Sequence, residues 1–149
     1  MLKKLLLVCA VMLLSFNSNA ENIYNAVISN NEGIIKVYDI KLAINDQQRE
    51  KGLMFVRHMN ENFGMMFIWK NARQRAMWMK NTYIPLDMLF IKDDTIVGII
   101  ENAEPETLKV RTVYKEVDKI LEINAGQVKK YNIEVGNKVT LKDREKNAK

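Results

Sequence analysis

Residues 52–87 read GLMFVRHMNENFGMMFIWKNARQRAMWMKNTYIPLD, and this stretch is where methionine and tryptophan are concentrated. Seven of the nine methionines lie between Met54 and Met88, and both tryptophans and the single histidine lie there too. The densest part is MWMKNT at residues 77–82, followed by Pro-Leu-Asp at residues 85–87. No other stretch combines large apolar groups with so many polar ones, so the sequence places core and candidate site here.

The apolar patterning on both sides of this stretch predicts short strands. Helices are predicted at Asp46–Lys51, with Asp46 as the N-cap, and at Gln127–Tyr131. A polar basic loop is predicted at residues 70–75. Strands are predicted at residues 34–44, 65–69, 76–80, 86–92, 96–101, 109–116, 117–123 and 138–141. The sum is a mostly β fold with two short helices, a single-domain β-sandwich or partly closed barrel.

The first twenty residues have the layout of a secretory signal peptide. Lys3 and Lys4 precede an apolar run at residues 5–14, and small residues at Ser18 and Ala20 mark a cleavage site after Ala20. The run has about ten residues, whereas a membrane span takes roughly twenty. Cleavage predicts an exported protein, periplasmic or extracellular, without a stable membrane anchor. The alternative is that the segment is retained as an anchor.

The remaining chain divides into an N-terminal leader at residues 21–33, a β domain at residues 34–141 and a charged tail at residues 142–149. Without residues 1–20 the formal charge is 21 − 18 = +3, with no long basic run outside the tail, which gives no reason to propose a nucleic-acid partner. The single cysteine is Cys9. The mature chain therefore has no disulfide, cysteine nucleophile or thiolate zinc site.

Several short motifs resemble the domain of unknown function 192 family (DUF192). They are Glu50 with Gly-Leu-Met at 52–54, Gly-Met-Met-Phe at 64–67, Trp-Met-Lys-Asn-Thr at 78–82, Pro-Leu-Asp at 85–87 and Leu-Glu-x-x-Ala-Gly at 121–126. The resemblance covers about Lys36 to Val139. It implies a small β-sandwich-like fold, often exported in bacteria, and no established activity. Met77 stands where the family pattern has an aromatic residue, and Met66 where leucine is common; neither departure affects the expected fold.

The polar groups beside the methionines predict a ligand site. On a strand, Trp78, Lys80 and Thr82 point to one face, where an indole and an ammonium could line a shallow pocket for a small anionic or sugar-like ligand. The candidate ligand-binding residues are Arg49, Arg57, Trp78, Lys80, Asn81 and Asp87. The alternative is structural, because Asn, Thr and Asp satisfy backbone groups in turns, and Trp and Met fill cores.

The methionines also suggest a Cu(I) site. Thioethers are soft ligands that suit Cu(I), and Met77 and Met79 share a strand face, with His58 as a further candidate. The alternative is that the methionines fill gaps in the core and that His58 is a loop residue. No other cofactor is predicted.

Two further function classes remain open. A hydrolase could use Asp87 with a second carboxylate, from Glu50, Glu101 or Glu122. An interaction module would instead present an exposed apolar patch. The interpretation we favour is a non-catalytic, exported domain that binds a small molecule or a partner protein.

Overall fold

The structure is a computed structural model that describes residues 24–144 as seven strands and two short helices. The strands are β1 (Tyr24–Asn30), β2 (Gly33–Ala43), β3 (Phe63–Gln74), β4 (Leu86–Lys92), β5 (Thr95–Ala103), β6 (Glu116–Asn124) and β7 (Lys138–Asp143). The helices are α1 (Asp46–Lys51) and α2 (Gln127–Tyr131). The predicted mostly β fold with two short helices is confirmed. The predicted signal peptide, residues 1–20, lies outside the described residues.

All seven strands belong to one sheet, which closes in a ring in the order β1-β2-β3-β6-β4-β5-β7. Neighbouring strands are antiparallel except β2 and β3, which are parallel, with Asp39–Ala43 opposite Phe63–Phe67. A parallel pair needs a long crossover, and α1 with the loop after it provides that connection. The ring closes where β7 pairs with β1 along most of its length and with β5 through the single pair Thr95–Lys138. Neither helix in residues 24–144 is long and apolar enough to cross a membrane.

The two ends of the domain differ from the predicted boundaries. The predicted leader, residues 21–33, contains β1, which pairs on one side with β2 and on the other with β7. Its asparagines suggested an irregular segment, but Ala26, Val27 and Ile28 between them are buried in the sheet. At the other end, β7 extends two residues past the predicted boundary at residue 141.

Three predicted segments inside the domain also differ. The strand predicted to end at Trp69 continues through the predicted basic loop to Gln74. The strands predicted at residues 76–80 and 109–116 are irregular segments that touch through one isolated bridge, between Met77 and Arg111. The N-cap of α1 is Asn45, one residue before the predicted Asp46, because the Asn45 side chain accepts a hydrogen bond from the Gln48 backbone N–H. Gln48 bonds back to the Asn45 N–H, which completes a capping box.

Two apolar cores lie on the two faces of the sheet. The inner core takes side chains from all seven strands and α2, so it fills the inside of the ring. The outer core lies on the opposite face of β3, β4 and β6 and is covered by Leu53, Met59 and Met79 from the loops. Strand β4 is buried on both faces, with Leu86 and Met88 in the outer core and Leu89 in the inner one. The outer layer of loops is what forms the clefts described below.

Two glycines lie where the sheet leaves no room for a side chain. A Cβ at Gly64 would stand 2.6 Å from the Glu122 carbonyl oxygen, across the β3–β6 pair. A Cβ at Gly98 would stand 2.6 Å from a methyl carbon of Val113, which belongs to the irregular segment over β5. Both distances are shorter than a van der Waals contact. The Glu122 carbonyl is held in the hydrogen-bonded strand pair and can move less than the Val113 side chain, which lies in an irregular segment.

We therefore expect Gly64→Ala to lower the free energy of unfolding by about 3 kcal/mol and Gly98→Ala by about 1 kcal/mol. Urea denaturation of the two variants measures the difference, with Lys129→Ala on the surface of α2 as a control that should stay within about 0.5 kcal/mol of the wild type. Equal losses at Gly64 and Gly98 would contradict the ranking.

Candidate functional site

A cleft of about 280 Å³ opens beside Trp78, between α1 and the segment at residues 76–82. We call it the Trp78 cleft. The polar and aromatic side chains that line it include Arg49, Glu50, Trp69, Trp78, Lys80 and Glu122. Three elements therefore converge here: the exposed side of α1, the middle of β3 and one residue of β6.

The segment at residues 76–80 keeps the side-chain alternation that the sequence predicted, although it is not a strand, and the alternation ends at Asn81, where the backbone is left-handed. Met79 is fully buried in the outer core, whereas Trp78 is 46% exposed. The Lys80 ammonium lies 5.2 Å from the centre of the Trp78 ring, close enough for a cation–π contact. Backbone bonds from Met77 to Arg111 and from Met79 to Thr107 replace a neighbouring strand and hold the segment in place.

Arg49 forms a fixed wall of the cleft. Its Nη1 donates to the Ile68 carbonyl at 2.7 Å, and its Nη2 donates to the Asp46 carboxylate at 2.6 Å. The guanidinium also lies 5.5 Å from the centre of the Trp69 ring. With 17% of its side chain exposed, Arg49 presents a positive charge whose position is set by these three contacts.

Glu122 reaches the cleft from the sheet beneath it. The residue is only 3% exposed, yet it lines the cleft. Burial raises the pKa of Glu122 to about 8, so the carboxyl is mostly protonated at neutral pH. A neutral carboxyl can both donate and accept a hydrogen bond, and this one lies at the floor of a cleft. The other charged side chains that line the cleft are Arg49, Lys51, Lys80, Asp46 and Glu50.

From the sequence, Glu122 was only one of three candidates for the second carboxylate beside Asp87. The stronger indication was its place in the pattern VDKILEI, where Glu122 lies two residues after Ile120 and shares its face of the strand. Ile120 belongs to the outer core, so a carboxyl on the same face had to be buried or to face a cleft.

Asp87 lies on the other face of the sheet, and its predicted place in the ligand site is wrong. It is fully buried, and its two carboxylate oxygens accept hydrogen bonds from the backbone N–H groups of Asn102 and Val128, both at 2.9 Å. The carboxylate is shielded from solvent and does not line the cleft, so it is not available to a substrate there. The predicted hydrolase based on Asp87 fails for the same reason.

Two other predicted residues do not line the Trp78 cleft. Arg57 lies over the ring of Tyr83, with 5.0 Å between the guanidinium carbon and the ring centre. Asn81 has a left-handed backbone, with φ of 54°, and its carbonyl accepts a bond from the Phe55 N–H at 2.8 Å. Both contacts hold the turn at residues 81–85 against the loop after α1, which matches the structural alternative.

The structure separates the predicted Cu(I) ligands. Met79 is buried in the outer core, and Met77 packs against that core and also lines the Trp78 cleft. His58 is exposed and lines a different cleft of about 620 Å³, between the end of β2 and the loop after α1. Within residues 24–144, no cluster of three or more His, Cys, Asp or Glu side chains could hold a metal ion.

Comparison with known proteins gives the family and the fold. The family model DUF192, described as "Uncharacterized ACR", matches residues 26–141. A solved structure from Sinorhizobium meliloti 1021, described as a proposed transcription regulator, is 38% identical, with a TM-score of 0.77 over 81% of this chain and 95% of that one. A protein of unknown function from Novosphingobium aromaticivorans DSM 12444 is 30% identical, with a TM-score of 0.75 over 79% and 84% of the two chains. A search of curated proteins found no significant match.

If Asp87 is a structural residue, Asp87→Asn should lower the free energy of unfolding by about 2–3 kcal/mol, because the amide NH2 faces a backbone N–H that needs an acceptor. Chemical denaturation measures the loss, and faster hydrogen exchange at the Val128 amide locates it. Asp93→Asn in the β4–β5 turn is the matched control, since asparagine tolerates the left-handed φ of 53° found there. A loss no larger than that of Asp93→Asn would contradict the assignment.

The raised pKa of Glu122 makes stability depend on pH. The folded state holds the proton up to about pH 8, whereas the unfolded chain releases it near the ordinary glutamate pKa of 4.5. Between these values the wild type should lose up to about 1.4 kcal/mol of stability per pH unit from this group, and Glu122→Gln should not. Urea denaturation from pH 4 to 9 should therefore show the stability of Glu122→Gln relative to wild type rising through this window and constant below it.

Glu101→Gln, at an exposed carboxyl in β5, is the control and should give a difference from wild type that does not change with pH. A difference for Glu122→Gln that is equally flat would show that the Glu122 carboxyl is already ionised in the folded protein.

Proposed function

Since the chain belongs to the DUF192 family, which comes with no assigned activity, we propose a function from the cleft itself: the domain binds a small anionic or sugar-like ligand in the Trp78 cleft, without catalysis. We propose further that it does so as an exported protein, because residues 1–20 have the layout of a signal peptide. Arg49, Trp78, Lys80 and Glu122 are the residues that we assign to the ligand.

The observation that carries the proposal is the Glu122 carboxyl, which lines the cleft although the residue is only 3% exposed. A carboxyl held largely away from bulk water forms a stronger hydrogen bond with a ligand oxygen than an exposed carboxyl does. A neutral carboxyl donates to a ligand carboxylate without repelling it. The same carboxyl can accept a hydrogen bond from a hydroxyl, so both the carboxylate and the hydroxyl groups of a sugar acid can bond to it.

The walls of the cleft fit the same class of ligand. Trp78 presents a half-exposed indole on which the apolar face of a sugar ring can pack, and Lys80 and Arg49 supply positive charge at the edge. A volume of about 280 Å³ lies just below the usual range for drug-sized ligands, which favours a ligand the size of one monosaccharide.

A hydrolase is the second candidate, and one observation favours it. Glu50 and Glu122 line the same cleft, one exposed and one buried with a raised pKa. Two carboxyls in such different environments can serve as base and acid. This pair replaces the predicted pair with Asp87. Release of product from a glycoside probe, lost in both Glu50→Gln and Glu122→Gln, would identify this function.

For the binding function, D-glucuronate is the probe, followed by isothermal titration calorimetry and by the two indole N–H signals in ¹⁵N NMR spectra. We expect Trp78 to shift, Glu122→Ala to weaken binding at least about tenfold, and Glu122→Gln to stay within about threefold because an amide still donates and accepts. Lys80→Gln should weaken glucuronate binding by about three- to tenfold and leave glucose binding unchanged.

Lys129→Gln removes one positive charge from α2 and serves as the control for a general charge effect. An unshifted Trp78 signal at about 10 mM glucuronate, which corresponds to less than about 3 kcal/mol of binding free energy, would overturn the proposed site.

A further inference from the structure

A second cleft, of about 540 Å³, lies on the other side of Trp69, and we call it the basic cleft. Its charged lining consists of Arg49, Lys70, Arg73 and Arg75. Arg49 and Trp69 line both this cleft and the Trp78 cleft, so the two are adjacent and share a wall. No acidic side chain in residues 24–144 lines the basic cleft.

A bulge in β3 places these residues. Ile68 pairs with Lys119 of β6, and the next pair is Arg73 with Val117. Five steps along β3 therefore correspond to two steps along β6, so the residues between Ile68 and Arg73 leave the ladder. Arg75 closes the bulge by donating from Nη2 to the Asn71 carbonyl at 2.9 Å. Bulges redirect side chains and are frequent beside functional sites.

Three of the four positive charges of the basic cleft lack counter-ions among residues 24–144. Arg49 is paired with Asp46, but Lys70, Arg73 and Arg75 form no ion pair within residues 24–144. Burial lowers the pKa of Arg75, and the charges of Arg73 and Arg49 lower it further, so like charges face one another. Arg75 Nε is buried without a hydrogen-bond partner, although the same guanidinium lies 4.8 Å from the Trp69 ring centre.

We propose that Lys70, Arg73 and Arg75 form an oxyanion subsite, which binds the phosphate, sulfate or carboxylate group of the same ligand whose other end enters the Trp78 cleft. The statement that one ligand spans both clefts rests on the proposed function; the oxyanion subsite itself does not. An oxyanion between three cations relieves their mutual repulsion and gives Arg75 Nε the acceptor it lacks. Two guanidinium groups suit the several oxygens of such a group better than ammonium groups alone would.

The NMR signals of the two tryptophans distinguish binding at the oxyanion subsite from binding in the Trp78 cleft. Trp69 lines both clefts, whereas Trp78 lines only the Trp78 cleft. In a titration with inorganic phosphate, followed by the indole ¹⁵N signals of the purified protein, we expect Trp69 to shift and Trp78 to stay in place. Arg75→Lys keeps the charge but removes Nε, and should weaken phosphate binding at least about fivefold. Lys70→Gln/Arg73→Gln should abolish it and leave the glucuronate-induced shift of Trp78 intact.

The matched control is Lys109→Gln/Lys129→Gln, which removes two charges from exposed positions outside the basic cleft and should bind phosphate as the wild type does. Thermal unfolding midpoints within about 2 °C of the wild type show that the variants are folded. An unmoved Trp69 signal at about 10 mM phosphate overturns the subsite, even where glucuronate binds. Phosphate binding without glucuronate binding overturns the proposed function and leaves the subsite.

Glucose 6-phosphate tests whether one ligand spans both clefts. It should shift both tryptophans and bind at least about tenfold more tightly than phosphate, because the second contact is made within a molecule already bound. Affinity equal to that of phosphate overturns the spanning ligand. A short DNA duplex that binds more tightly than glucose 6-phosphate, with affinity falling steeply as salt increases, would show that the basic cleft takes a nucleic-acid backbone instead.

Discussion

The carboxylate of Asp87 links three elements, β4, β5 and α2, through hydrogen bonds. It projects from β4 to the N–H of Asn102, which a register shift in the β4–β5 pair leaves without a strand partner. Its second oxygen accepts from Val128 in the first turn of α2, whose own N-cap is Gly126 and supplies no side-chain acceptor. Asp87 thus caps α2 from a distant strand and places a negative charge at its N-terminus. In turn α2 positions Gln127, which accepts from the buried Tyr38 hydroxyl.

The burial of β4 on both faces explains why the molecule has clefts at all. A closed ring of strands encloses one core, but Leu86, Met88 and Phe90 point outward and need a second cover. The cover is assembled from irregular segments, which pack less completely than a sheet and leave gaps between α1 and residues 76–82. Glu122 lies under such a gap, so its carboxyl is buried by the sheet and still reachable by a ligand.

Local sequence patterns correctly predicted the elements whose conformation depends on neighbouring residues. The conformation of the other segments depends on long-range strand pairing. The apolar run at residues 86–92 and the two short helices were predicted with correct bounds. The segment at residues 76–80 alternates as a strand does, but has no strand beside it. For the candidate site, Trp78 and Lys80 share a face because side-chain alternation is a local property, whereas Arg49 joins them through the packing of α1 against β3. The predicted position of Asp87 was wrong, because which face of β4 points into the ring depends on how the whole sheet closes. The basic cleft depends on a β3 bulge that leaves no mark in the sequence.

The pairing of β1 with β7 sets Tyr24 opposite Asp143, so the described domain begins and ends on neighbouring strands. Opposed Cα atoms in an antiparallel pair are about 5 Å apart, a gap that a short linker can bridge. The chain order of the ring is therefore one of several that would give the same fold. A circular permutant joined between these ends and opened in the tight Asp93–Asp94 turn would keep every strand and both clefts. By the same geometry, the domain can be inserted into a surface loop of another protein as a self-contained module.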